Sequence, residues 1–144
     1  MSKLQRALKQ NQPAGIYRFD SNASVELLRS EAENAGWKIY FLDGKAIRDK
    51  KTFLEHIARA MKFPDYFGKN WDALQDCLTD LQGIEPKGYI LVYQSPTRFI
   101  KSSPGHWAVA RDVFNSVIEF WGGQGIPFYV LLRGTTAADI PLLS

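Results

Sequence analysis

Three aspartates at a helical spacing are the residues of this chain that most clearly carry chemistry. Asp72, Asp76 and Asp80 recur every four positions between Trp71 and Leu81, which places their carboxylates on one face of a helix. Like charges at this spacing cost a helix roughly 0.2–0.5 kcal/mol a pair, and no Lys or Arg lies between them. Such a row is either a solvated face or a docking surface for a cationic partner, and the pattern leaves both open.

The other reactive residue types are too scattered to form a catalytic or metal-binding group. His56 and His106 are far apart in the sequence, and we expect the first to be solvated and the second to serve local structure. Cys77 has no cationic neighbour in sequence and is expected to be a half-buried packing residue. One Cys and two His do not predict a zinc site, and carboxylates stacked about 5.4 Å apart do not surround a cation by themselves. We therefore expect no enzyme activity, no metal and no cofactor.

A second charged segment has the opposite sign and carries four cations close together: Lys45, Arg48, Lys50 and Lys51. Residues 37–63 hold seven Lys or Arg against three Asp or Glu, whereas residues 64–88 hold two against five. The acidic helix is thus the one clearly negative segment of a chain with net charge +3. An RNA-associated or adaptor module that uses the basic residues is the alternative function. An acidic helix close by argues against nucleic acid as the partner, because it would repel phosphate.

The elements that must position these residues alternate between strands and helices. Apolar runs predict strands at residues 16–19, 37–42, 89–93 and 128–132. Capping residues and amphipathic spacing predict helices from Ser24 to Gly36 and at about 49–62, 70–81 and 107–121, with a short possible helix around Leu4 and Leu8. Residues 94–106 are expected to be a polar connection and residues 134–144 a loosely held tail. Helical crossovers predict an α/β fold with a mostly parallel sheet covered by helices.

Size and composition are those of one soluble globular domain. The chain has 144 residues, of which 45% are hydrophobic and 23% charged. No run is long enough to span a membrane, and the first residues lack the apolar region of a signal peptide. A single cysteine excludes an internal disulfide, so a cytoplasmic location is expected.

The motif YFGKNWDALQDCLT at residues 66–79 resembles the signature loop and helix of barstar-type ribonuclease inhibitors. The flanking strands and helices follow in the order of that family over residues 37–133. The resemblance implies a barstar-like three-layer fold with a small, mostly parallel sheet of three core strands packed by helices. We expect residues 1–36 to be an N-terminal extension of helix, strand and helix that adds a fourth strand, and residues 134–144 to be a C-terminal tail.

The resemblance also implies a function. Members of the barstar family are bacterial, cytoplasmic proteins. The founding member blocks a ribonuclease by inserting this loop and helix into the enzyme's basic active site. By motif position the aspartate that replaces substrate phosphate corresponds to Asp76, and its neighbour one turn earlier to Asp72. The implied partner is a basic ribonuclease or a nuclease toxin, bound by a protein that is a monomer when free. The implied contact residues are Tyr66, Gly68, Asn70, Trp71, Asp72, Gln75, Asp76, Thr79 and Asp80.

Three positions refine that expectation. Lys69 and Gln75 stand where the founding inhibitor carries an acid and a tryptophan, which points to a different cognate partner. Trp71 lies on the apolar seam of the helix, so it either contacts the partner or supports the loop from the core.

Overall fold

The computed structural model describes residues 1–9, 12–64, 68–81 and 83–143. In these ranges the chain forms six helices and four strands in the order α1 (Lys3–Lys9), β1 (Ile16–Arg18), α2 (Val25–Asn34), β2 (Lys38–Asp43), α3 (Lys50–Ala60), α4 (Trp71–Leu78), β3 (Tyr89–Gln94), α5 (Thr97–Ser102), α6 (Pro104–Gly123) and β4 (Phe128–Arg133).

The four strands form one parallel sheet in the order β1-β4-β3-β2. Tyr89 at the start of β3 lies beside Lys38 of β2 and Phe128 of β4, so the three longer strands begin in register. The first five residues of β3 and of β4 are all buried, which is why both read as continuous apolar runs rather than as alternating ones. The predicted α/β fold with a mostly parallel sheet is confirmed.

Helices cover both faces of the sheet and make three layers. On one face α3, α4, α5 and α6 enclose the larger core, in which Phe53 and Phe114 have no exposed surface. On the other face α1 and α2 enclose a smaller core around Leu28 and Ala32. Strand β1 adds to the sheet beside β4, so residues 1–36 contribute a strand as well as two helices.

Side-chain caps set where the central helices begin. The hydroxyl of Ser24 accepts a hydrogen bond from the amide of Leu27 at 3.1 Å, which starts α2 as predicted. The carboxylate of Asp49 accepts from the amide of Thr52 at 2.8 Å, and the Thr52 hydroxyl accepts from the Asp49 amide at 3.1 Å. This reciprocal capping box starts α3 one residue after Asp49.

The polar connection expected at residues 94–106 is wrong, because it contains the short helix α5. Pro96 immediately precedes α5 and Pro104 is the first residue of α6, so each proline begins a helix instead of interrupting one. Phe99 of α5 is fully buried and stacks on Phe53 with ring centroids 5.0 Å apart. α6 consequently begins three residues earlier than Trp107, where its amphipathic pattern starts.

The C-terminal segment is held against the domain rather than loosely, which corrects the second expectation. Ile140 and Leu143 are 1% and 2% exposed and belong to the cores on opposite faces of the sheet. The amide of Arg18 donates to the carbonyl of Pro141 at 2.7 Å, and the amide of Leu143 donates to the carbonyl of Arg18 at 2.9 Å. The tail therefore pairs with β1 at the edge of the sheet.

Candidate functional site

Helix α4 and the residues just before it form the candidate site. Asn70 has an extended backbone, and its side-chain oxygen accepts a hydrogen bond from the amide of Ala73 at 2.8 Å. It is the helix cap that the sequence predicted. Lys69 has a φ of +53°, in the left-handed region that turns the chain into the helix. The preceding site residue, Gly68, is exposed, and Tyr66 lies outside the described residues.

α4 buries one face and exposes the other, as its periodicity predicts. Leu74 and Leu78 have no exposed surface and lie in the larger core, where α4 packs on α6. Asp72, Gln75 and Asp76 are exposed on the side away from that core. Their carboxylates and amide are available to a partner, and their role in binding stays a prediction.

Trp71 supports the loop more than it faces solvent. The side chain is half-buried, and its ring centroid lies 5.8 Å from that of Phe53 in the core. The Lys50 ammonium lies 5.8 Å from the centre of the indole, within the range of a cation–π interaction. Of the two roles expected for Trp71, these contacts favour support from the core. The side chain anchors the start of α4 to α3.

The end of α4 differs from the expectation of one helix through Leu81. The helix stops at Leu78, and Thr79 is its cap. The Thr79 hydroxyl donates to the carbonyls of Gln75 at 2.9 Å and Asp76 at 3.2 Å, so it satisfies two of the last helical acceptors. Asp80 is therefore exposed just beyond the helix and is not a third member of a helical stripe.

The two exposed aspartates of α4 form no ion pair with another described residue. Neither Asp72 nor Asp76 lies within 4.0 Å of a Lys, Arg or His nitrogen there. Burial raises the pKa of the Cys77 thiol, and the neighbouring charges of Asp76 and Asp80 raise it further. The thiol is thus kept protonated and half-buried, as expected of a packing residue rather than a nucleophile.

A groove of about 830 Å³ lies beside the acidic residues. It runs along the outer edge of β2, between α2 on one side and the end of α3 with α4 on the other. Its lining residues are Arg29, Glu33, Trp37, Lys38, Ile39, Tyr40, Phe41, Ala60, Met61, Lys62, Phe63, Pro64, Asp76, Cys77, Asp80 and Leu81. Asp76 and Asp80 thus share one concave surface although only Asp76 is on the helix.

The basic segment lies on the other side of α4's first turn, and the structure adds residues that the sequence did not connect to it. Lys50 and Lys51 line a smaller pocket of about 380 Å³ together with Lys69 and His106. No sequence signal linked Lys69 or His106 to the two lysines, since they come from the loop before α4 and the start of α6. Arg98 of α5 also joins them, because its Nη1 donates to the carbonyl of Lys45 at 3.3 Å.

The two histidines occupy different surroundings. His56 is half-buried, and its Nδ1 donates to the carbonyl of Thr52 at 2.8 Å, so the expectation that it is solvated is wrong. His106 is exposed in the first turn of α6, with its ring centroid 6.4 Å from that of Trp71. In the part of the chain that the structure describes, no three His, Cys, Asp or Glu side chains are grouped to hold a metal ion. Within the same ranges, no helix combines the length and apolar character needed to cross a membrane.

Fold and site together define a small parallel α/β protein that presents a capped acidic helix beside a groove. The family model of Barstar (barnase inhibitor) matches residues 37–133. The chain belongs to this family, and the matched range runs from the residue before β2 to the end of β4.

Similar solved structures agree on the fold alone. The structure of Drosophila ORC bound to DNA matches with a TM-score of 0.54 at 15% identity, over 88% of this chain and 33% of that chain. The Aeropyrum pernix ORC2 protein in its ADP form matches with a TM-score of 0.56 at 14% identity, over 94% of this chain and 39% of that one. This chain therefore spans well under half the length of either. No curated protein matches.

Proposed function

We propose that this protein inhibits a ribonuclease or a ribonuclease-type toxin by placing α4 and the loop before it over the enzyme's cationic active site. It acts by binding and not by catalysis, as an immunity protein in the cytoplasm of a bacterial cell. Membership of the Barstar (barnase inhibitor) family supports a protein partner of this kind.

The observation that carries the proposal is the pair Asp72 and Asp76. They are exposed one turn apart on α4, and no cationic nitrogen of the described residues lies within 4.0 Å of either. A ribonuclease must gather cations around the phosphate that it cleaves, and a carboxylate can take the place of that phosphate among them. Because both carboxylates lack an internal ion pair, they lose only water when such a partner binds.

The acidic helix is held rigidly enough to keep that geometry. Leu74 and Leu78 are fully buried, and Trp71 packs on Phe53. The indole nitrogen of Trp121 in α6 donates to the carbonyl of Leu78 at 2.9 Å. An interface that is already ordered loses little conformational freedom on binding, which favours tight association.

The remaining predicted contacts surround this pair. Gly68 and Asn70 are exposed at the start of α4, and Gln75 lies on the same exposed side as the two aspartates. Asp80 lines the groove with Asp76 and so lies within reach of a partner that covers α4. Thr79 has its hydroxyl engaged by the helix carbonyls and contributes by ending α4 at this point.

Inhibition assays test the proposal directly. The protein is titrated into a panel of small basic ribonucleases of the barnase type while the cleavage of a fluorogenic RNA substrate is followed. We expect one-to-one inhibition of at least one of these enzymes. Asp76→Ala should raise its inhibition constant by at least about 30-fold, since truncating one side of a buried charge pair costs about 2–5 kcal/mol.

Asp112→Ala is the matched control, because Asp112 is exposed on α6 and has no ion pair within the described residues. It should inhibit like the unaltered protein within about twofold. Equal inhibition by the unaltered protein and Asp76→Ala would remove Asp76 from the site. Failure to inhibit any ribonuclease of the panel would count against the inhibitor function itself.

A further inference from the structure

Seven cationic or ionisable side chains from four segments come together beside α4, and we call them the basic surface: Lys45, Arg48, Lys50, Lys51, Lys69, Arg98 and His106. The Arg98 guanidinium donates to the carbonyl of Lys45 at 3.3 Å, which joins α5 to the turn after β2. The hydroxyls of Ser102 and Ser103 donate to the carbonyl of Arg48 at 2.6 and 2.9 Å, which fixes that turn against the start of α6. Tertiary contacts therefore hold the surface together.

A pocket of about 380 Å³ forms one end of the basic surface. Its floor includes the buried side chain of Leu54, and its rim carries Lys50, Lys51, Lys69 and His106. Among the described residues that line it, the one carboxylate is that of Asp49, which accepts from the amide and the hydroxyl of Thr52 at 2.8 and 2.7 Å. The helix cap thus occupies this carboxylate, and the pocket keeps a cationic rim.

Within the described residues, most of these charges have no carboxylate as an ion-pair partner. Among the described residues, Arg48 is the member of the surface that lies within 4.0 Å of a carboxylate, that of Asp49. Lys50 and Lys51 occupy the first turn of α3, where the helix dipole disfavours cations by roughly 0.3–1 kcal/mol each. The helix dipole therefore does not explain them, although Lys51 is attracted to the Asp49 carboxylate and Lys50 lies over the Trp71 ring.

One aromatic ring lines the same pocket, that of His106, and a second ring, that of Trp71, lies close behind it. The exposed His106 ring lies 6.4 Å from the Trp71 ring, and the Lys50 ammonium lies 5.8 Å from that indole. Cations that follow a phosphate backbone, interleaved with rings on which a base can stack, are the shared features of proteins that bind single strands.

Asp76 and Asp80 do not line this pocket. Asp76 and Asp80 line the groove along β2, whereas the pocket beside Lys69 contains no carboxylate of α4. The expectation that the acidic helix would repel phosphate from the basic segment assumed one shared surface. The structure instead places Asp76 and Asp80 in a different depression from Lys50, Lys51 and Lys69.

We propose that the basic surface binds single-stranded nucleic acid, with phosphates along Lys45, Arg48 and Arg98 and a nucleotide in the pocket at Lys50, Lys51 and Lys69. A base stacks on His106 at the rim of the pocket. The cations are more numerous than a single phosphate group needs and belong to several segments of the chain, which favours a polyanionic strand over a single small anion. This proposal does not rest on ribonuclease inhibition, although Lys69 belongs to the loop that the proposed inhibitor places over its enzyme.

Fluorescence anisotropy with labelled 20-nucleotide single strands, one of RNA and one of DNA, tests the proposal at several salt concentrations. We expect the triple variant Lys50→Gln, Lys51→Gln, Lys69→Gln to bind at least about tenfold more weakly at low salt. Its plot of log affinity against log salt should be flatter by about 2, because each lost phosphate contact on a single strand removes about 0.7 from the slope. Binding of either strand with these changes supports the proposal.

The matched control removes three charges elsewhere, with Arg6→Gln, Lys9→Gln and Lys87→Gln, all exposed and outside the basic surface. It should change the affinity less than about twofold. An equal loss of affinity in both triple variants would show that net charge alone attracts the strand, and it would overturn the site. The site would also be overturned if the unaltered protein did not bind the strand at low salt. Both variants are checked for an unchanged thermal midpoint, so that unfolding is not read as lost binding.

Two further measurements separate nucleic acid from other anions. His106→Ala should weaken binding of the strand but not of an abasic phosphodiester of equal length, and His106→Phe should restore it through stacking. Equal loss for both polymers, or no rescue by Phe, would overturn the stacking role. If polyglutamate of equal charge binds as tightly as the oligonucleotide, the surface is a docking site for an acidic protein and the nucleic-acid proposal is wrong.

Discussion

The indole Nε1 of Trp121 donates a buried hydrogen bond to the backbone carbonyl of Leu78 across 2.9 Å. Leu78 is the last residue of α4, where carbonyl groups have no partner within the helix. The bond therefore joins the end of the acidic helix to the long helix α6. The position of Asp76 relative to the core depends on this contact.

Replacement of Trp121 by Phe should lower the free energy of unfolding by about 1–3 kcal/mol, because it leaves a buried carbonyl without a donor. Urea denaturation followed by circular dichroism measures the change. The matched control is Phe120→Leu at the next position, where the side chain is 42% exposed and should contribute little. Similar losses for both variants would show that the hydrogen bond has no special weight.

The docked C-terminal segment gives a second prediction. Leu143 is 2% exposed, whereas its neighbour Leu142 is 47% exposed. Leu143→Ala should cost about 2–4 kcal/mol through lost burial and the cavity that remains, and Leu142→Ala should cost well under 1 kcal/mol. Chemical denaturation of the two variants side by side decides the matter, and a small effect at Leu143 would mean that the segment detaches readily.

Tyr93 predicts a substitution that stabilises the protein. Its side chain is fully buried, and its hydroxyl has no hydrogen-bond partner among the described residues. Tyr93→Phe keeps the ring contacts with Phe53 and Trp107 and removes the unsatisfied group, so stability should rise by up to about 1–2 kcal/mol.

A pH series gives an independent readout of the same residue. Burial raises the pKa of the Tyr93 phenol above its usual 10.0. A raised pKa in the folded state contributes stability below pH 10 that is lost as the pH rises beyond it. The unaltered protein should therefore lose stability more steeply above pH 10 than Tyr93→Phe does. If stability falls equally steeply with pH in the two proteins, the Tyr93 phenol does not have a raised pKa in the folded state.

Much of the fold follows from the sequence because burial on both faces of a parallel sheet forces continuous apolar runs. Tyr89 to Tyr93 is such a run, and Ser24 and Asn70 are helix caps whose chemistry is local. The helix α5 was missed because a proline can either break a helix or begin one, and Pro96 gives no local sign of which applies. The burial of Phe99 decides it, and that is a tertiary contact.

The candidate site divides in the same way. The exposure of Asp72 and Asp76 follows from the helical period, which needs no knowledge of neighbouring elements. The placement of Asp80 on the helix was wrong because the Thr79 hydroxyl ends α4 by bonding its last carbonyls. Lys69 and His106 line one pocket although they lie far apart in the sequence. Residue spacing could not predict this arrangement, because it depends on how the helices pack.

The capping box of α3 predicts acid sensitivity. Hydrogen bonds from the Thr52 amide and then from its hydroxyl lower the pKa of the Asp49 carboxyl, with smaller help from Arg48 and Lys51. A lowered pKa in the folded state contributes stability above the usual value of 3.8 that is lost as the pH falls through the folded pKa.

The variant Asp49→Asn keeps a good cap but has no charge to lose. Thermal denaturation at pH 7 and pH 3 should show it less stable than the unaltered protein at pH 7, with the gap closing at pH 3. Asp112→Asn, at an exposed position on α6, should show a constant small difference at both values. A gap that widens on acidification would contradict the capping role.

Cys77 reports on the charge of the candidate site without any partner. It is the single cysteine of the chain, so its alkylation by iodoacetamide reads out one thiol. Burial raises the pKa of this thiol first, and the charges of Asp76 and Asp80 raise it further. The rate at pH 8 should therefore lie below that of an unfolded cysteine peptide, because less of the reactive thiolate is present.

Asp76→Asn and Asp80→Asn should each raise that rate by up to about fivefold, the effect of a unit charge about 4 Å away in water. Neither should reach the rate of the peptide, since burial remains. Asp112→Asn serves as the control and should leave the rate unchanged. If Asp76→Asn does not accelerate alkylation, its carboxylate lies away from the thiol, and the placement of Asp76 beside Cys77 in the groove is wrong.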